Sequence, residues 1–173
     1  MNLPQPAALL ALLSLSACSP GPNTAWATPD PKAESVQDIM RTKVDPSADA
    51  LWNALATVET AAGVEVHEPR TDADWRALRA EALRIVDGAR LLRSPRQVSA
   101  GGPLDDGAPP GARTAAQIQR DIAADHAGFI MAAQRLEGSA HRTLAAIEAR
   151  NVPALLTATA ELDAVCDVCH EKY

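Results

Sequence analysis

Cys166-Asp167-Val168-Cys169-His170-Glu171-Lys172-Tyr173 ends the sequence, and its reading decides the fold. Cys-x-x-Cys-His is the spacing of a c-type haem attachment site. Two thiols three residues apart on a helix can each add to a vinyl group of one porphyrin. The His stands one helical turn from Cys166, so its imidazole reaches toward the same side. Three residues follow His170, so a second iron ligand is expected from upstream.

The rest of the chain points to helices. Of its 173 residues, 47% are hydrophobic, with Ala supplying much of that, and only 3% are aromatic. Such a composition favours helix and offers little for a β-sandwich core, so the expected class is all-α. The net charge of −6 is spread over mixed acids and bases with no basic block. No nucleic-acid partner is expected, and a neutral or basic protein partner fits better.

Cys18 closes Leu15-Ser16-Ala17-Cys18, which resembles a bacterial lipobox, behind an apolar run from Ala7 to Ala17. That run has the length of a secretory core and is too short for a permanent span. The expected organisation is a signal peptide over 1–17, a lipidated, Pro-rich tether over 18–34 and one domain over 35–173. Two features leave this open: the first six residues lack Lys and Arg, and Ala25-Trp26-Ala27 offers a rival cleavage site. Both routes lead to the periplasm, anchored by lipid on Cys18 in the first and soluble in the second.

Helical phase places four segments in the domain. The first runs over about 35–60, with Val36, Met40, Lys43, Ser47, Leu51, Ala54 and Val58 in one stripe. Asp45-Pro46 interrupts it, either as a kink or as a new start capped by Asp45. The second runs over about 72–92 behind Thr71, the third over about 114–150, and the fourth begins at Asn151 with Pro153 in its first turn. Leu155, Thr159, Leu162, Cys166, Cys169 and Tyr173 share the inner face of the fourth. The stretch 94–113 holds four Pro and four Gly and reads as a long loop. Short connections elsewhere predict an antiparallel up-down-up-down four-helix bundle enclosing one covalent haem.

With this pentad on the last of four helices, the domain resembles the cytochrome c-prime and low-spin cytochrome c-556 family. The resemblance implies Cys166 and Cys169 as thioether attachment points for one haem c and His170 as the proximal ligand. It also implies that the first helix faces the sixth position: an apolar residue in gas-binding members, a Met in electron carriers. Antiparallel homodimers are common in that family. The Asp45-Pro46 break and the long loop depart from its simplest members.

Past the leader, Met40 and Met131 are the two methionines. Met40 shares its stripe with Val36 and Ser47, whereas Met131 lies off the line through Ile118, Phe129 and Leu136. Met40 is therefore the candidate distal ligand, with plain core packing as its alternative. His67, His126 and His141 are weaker candidates. Trp52, Leu162 and Tyr173 are candidate pocket residues, although Trp52 and Trp75 suit simple core filling equally well. Arg41 and Lys43 could pair with haem propionates or be solvated surface charges. A thiol redox centre would need its Cys-x-x-Cys at a helix N-terminus, and a zinc site would need a fourth ligand elsewhere. The expected role is carriage of single electrons with no substrate chemistry; the alternative is a five-coordinate haem that binds nitric oxide or carbon monoxide.

Overall fold

The computed structural model describes residues 29–100 and 111–173. The leader, the lipobox and Cys18 lie outside the described residues. The chain is mostly helical, with one small two-stranded sheet among the described residues.

Helix α1 spans Val36–Ile39 and is capped by buried Ser35, whose Oγ accepts the Asp38 N–H at 3.1 Å. It runs without interruption into a π turn, Met40–Val44, and then into α2, Asp45–Asn53. Pro46 explains the wide turn. It has no N–H for the Thr42 carbonyl, and its ring crowds that carbonyl. The Asp45 N–H instead reaches back five residues to the Met40 carbonyl. Of the two readings that the sequence left open, a new helix capped by Asp45 is not the one found: α2 follows Val44 without a side-chain cap, and Asp45 lies in its first turn.

The first helix also ends earlier than its apolar phase suggested. Residues Thr57–Thr60 (β1) and Gly63–Val66 (β2) form an antiparallel hairpin in the register Thr57↔Val66 and Thr60↔Gly63. Five β-branched residues in this short stretch favour strand over helix. Gly63, at φ +129°, supplies a backbone conformation few other residues tolerate. Val58, placed on the helical stripe by phase, is 39% exposed.

Helix α3, Asp72–Leu92, opens with a reciprocal cap: Thr71 Oγ1 accepts the Asp74 N–H, and Asp74 Oδ2 accepts the Thr71 N–H. Its buried face includes Trp75, Leu78, Ala82, Ile85, Val86 and Ala89, as its periodicity predicts. The expected third helix is two pieces, α4 (Ala115–Ala124) and α5 (His126–Glu148). Asp125 leaves the helical region at φ −140° and ψ 56°, and its carboxylate accepts the Gly128 N–H at 3.1 Å to start α5. Helix α6, Val152–Lys172, begins under an Asn151 cap with Pro153 in its first turn, as expected.

Cross-helix contacts fix the directions. Arg79 meets Glu148 at 3.3 Å and Arg90 meets Glu137 at 2.8 Å, so α3 and α5 run antiparallel. Arg142 meets Glu161 at 2.8 Å, and Tyr173 returns to Asp125, so α5 and α6 do likewise. Helix α2 runs antiparallel to α3, with Ser47 Oγ donating to Glu81 Oε2 at 2.8 Å. The π turn lies against Gly88 of α3, where a Cβ would sit 2.8 Å from Val44 Cγ2.

The end of α6 is clamped. Arg113 donates to the carbonyl of Lys172 at 2.7 Å and to that of Glu171 at 3.0 Å, satisfying two of the four unpaired carbonyls of a helix end. The Lys172 ammonium pairs with Asp125, and the Tyr173 hydroxyl donates to the Asp125 carbonyl at 3.2 Å. The Tyr173 ring meets Phe129 edge-on, with centroids 5.3 Å apart. Asp125 thus starts α5 and holds the far end of α6 at once.

Two outcomes follow. Gly88→Val, which forces a branched side chain against buried Val44, should lower unfolding stability by about 1–3 kcal/mol, read as a fall in urea midpoint at constant slope. The clamp should also depend on pH. The Lys172 hydrogen bond, aided by the Gly128 N–H, holds the Asp125 carboxyl below its usual range, and the Asp125 bond raises Lys172. A depressed acid contributes above its unfolded pKa and loses that contribution as pH falls through the folded value; a raised base contributes below its unfolded pKa and loses it as pH rises through the folded one. Amide protection factors over residues 169–173 should therefore be highest near neutral pH and fall on acidification. In Asp125→Asn the acid-side fall should vanish.

Candidate functional site

Helix packing leaves one seam open. Helix α3 packs on α5, α5 on α6, and α2 on α3, whereas α2 and α6 stand apart along much of their length. At one level the seam is closed by Trp52, whose Nε1 donates to the Thr159 carbonyl at 3.4 Å. From there toward the end of α6 the helices bound a cavity of about 360 Å³. That size lies within the roughly 300–1,000 Å³ of small-molecule and cofactor sites.

Its walls are largely apolar. Leu92 of α3 and Phe129, Ala132, Ala133 and Leu136 of α5 form the back. Met40 of the π turn and Val44, Ala48 and Trp52 line one side, with Val165, Cys166, Cys169 and His170 of α6 opposite. Three alanines across closely set helices leave the space that larger side chains would fill. Four carboxylates, Asp45 and Asp49 on α2 and Asp163 and Asp167 on α6, are exposed and also border it.

Cys166, Cys169, His170, Met40 and Trp52, all singled out from sequence, thus border one cavity. The thiols are half-buried and unpaired, and the imidazole is exposed. Leu162 and Tyr173 lie elsewhere. Leu162 is sealed in the core at 0% exposure, one turn below the cavity, while Tyr173 stands behind Phe129. Met131 is 52% exposed, as its phase suggested. His67 and His141 are exposed beside Glu65 and Glu137, and His126 is the first residue of α5; none of the three borders the cavity. Arg41 and Lys43 turn away from it toward Asp38 and Glu34, at 3.3 and 3.1 Å.

The electrostatics oppose thiolate chemistry. Burial, with smaller contributions from Asp163, Cys169, Asp45 and Asp167, pushes the Cys166 thiol up to about 11. Burial also raises Cys169. Both thiols hold their protons at neutral pH, whereas exchange-active thiols are those shifted downward. Among the described residues no three His, Cys, Asp or Glu side chains come together to hold a metal ion by themselves. The donor set is instead two neutral thiols and an imidazole on one turn, facing a thioether across an apolar slot. Those residues fit a flat, apolar group with a metal at its centre, held covalently and ligated from one or both sides.

The acidic border was not singled out from sequence. Its signal was present, because 45/49 and 163/167 are each i,i+4 pairs on one helix face. No helix of the described residues is long and apolar enough to cross a membrane. No protein-family model, curated protein or solved structure matches this chain.

Proposed function

We propose that the chain is an exported monohaem c-type cytochrome that carries single electrons, built as a four-helix bundle around its haem. The observation that carries this reading is the meeting of Cys166, Cys169 and His170, from one turn of α6, with Met40 across a mainly apolar cavity. The two thiols would hold haem c by thioether bonds. His170 would be the proximal ligand, and Met40 the distal one. The bound iron supplies the one-electron redox change.

The protein's own part is positional. Phe129, Leu136 and Leu92 line the back of the slot with apolar surface that would keep water from a bound group. The clamp of Arg113 and Asp125 on the last turn of α6 fixes the helix end that bears the attachment residues. A thioether ligand raises reduction potential. Carboxylates at the border oppose that rise by favouring the more positive, oxidised state. They also suit a basic redox partner, so transfer to such a partner should slow with added salt. We further assign the protein to the periplasm, held by lipid on Cys18 where the lipobox is used.

The test is the exported protein itself. Its intact mass should exceed that of the processed chain by one haem, and Cys166→Ala together with Cys169→Ala should abolish the addition. The reduced holoprotein should be low-spin and unresponsive to carbon monoxide, and Met40→Ala should make it high-spin and responsive. A wild-type protein that already binds carbon monoxide would convert the reading to a gas-binding haem module. A mass without haem would end both.

A further inference from the structure

We infer that the π turn over Met40–Val44 selects which side chain of the first helix faces the cavity, presenting the Met40 thioether where an unbroken α-helix would present the Arg41 guanidinium. This rests on the proposed haem reading only for the thioether's purpose; the selection itself is a matter of helix geometry.

Downstream of the turn, Asp45, Ala48, Asp49 and Trp52 border the cavity. Their spacing marks one line along a regular helix of 3.6 residues per turn. Continued upstream at that pitch, the line falls on residue 41. Met40 would lie about 100° off it. The π turn adds one residue to the loop closed by the Asp45 N–H and the Met40 carbonyl. That residue rotates everything upstream by about 100°, which brings Met40 onto the line and carries Arg41 away.

Three further observations agree. The Arg41 side chain is 62% exposed and pairs with Asp38 rather than bordering the cavity. The Thr42 hydroxyl donates to the Asp38 carbonyl at 2.7 Å, a back-bond of the kind that loosens helical turns. Opposite the turn, Gly88 lets Val44, Ile39 and Lys43 approach α3, so the extra width has somewhere to go. Pro46 removes the hydrogen bond that would close a regular turn, and Gly88 removes the side chain that would refuse a wide one.

Two measurements test this on the full-length protein. In the first, Met40→Cys and Arg41→Cys are made singly and labelled with a charged maleimide, and modification is mapped by peptide mass. Position 40 should react several-fold more slowly than position 41. The reverse order would overturn the inference whether or not haem is bound. In the second, Met40→Ala/Arg41→Met should remain high-spin and responsive to carbon monoxide, because a thioether at 41 points elsewhere. Recovery of a low-spin spectrum in that variant would also overturn it. A protected position 40 combined with a Met40→Ala spectrum identical to wild type would leave the selection standing and remove the ligand assignment.

Discussion

One asymmetry shapes the molecule: α6 is held along α5 while its other flank stands clear of α2. Leu155, Ala158, Thr159 and Leu162 bury the first half of α6, and the Trp52–Thr159 hydrogen bond ties it to α2 at that level. Beyond Leu162, small residues face the seam from the neighbours, and it opens. A core slot that is neither filled by side chains nor closed by collapse forfeits dispersion contacts on every wall. It persists here because α6 is held at both ends, by the burial of Leu155, Ala158, Thr159 and Leu162 in its first half and by Arg113, Lys172 and Tyr173 at its finish. An occupant that is flat and apolar would recover those contacts without moving a helix.

What the sequence made legible followed from local chemistry. The inner face of α3 and the caps at Thr71 and Asn151 depend on residues within a turn of one another, and all match expectation. The departures have long-range or competing causes. The 57–66 stretch carries both an apolar helical phase and a high density of β-branched residues, and the second prevails where no core lies beside it. The break at Asp125 combines a local cap on the Gly128 N–H with contacts to Lys172 and Tyr173, more than forty residues away, and a window of sequence around it shows only the first. Leu162 shows a different limit: phase gives the face of a helix but not the depth at which a cavity begins. Leu162 and Cys166 share a face, one turn apart, yet one is sealed and the other borders open space.

Met40 is the instructive case. Regular phase put it on the stripe of Ser47, and that stripe packs toward α3, where Ser47 meets Glu81. Met40 borders the cavity because the wide turn between them inserts one extra residue into the helix. Met40 does border the cavity, but by a geometry that regular phase did not contain. Pro46 marked a disturbance but did not say whether the helix would kink, restart or widen. Gly88 on a neighbouring helix leaves room for the third outcome.

The acidic border bears on the energetics of the seam. Asp45 and Asp49 on one side and Asp163 and Asp167 on the other are like charges on the two helices that fail to close. In water such repulsion is weak and screened, but it acts in the direction that keeps α2 from α6. Burial raises the Cys166 thiol and Asp163, Asp45 and Asp167 add to it, so the site disfavours added negative charge at both its border and its floor. Under the proposed function this gives the fold a consistent preference. A metal centre would be favoured in its more positive state, and an approaching protein would be favoured when it presents basic side chains. The carboxylates that border the slot would then also tune what sits in it.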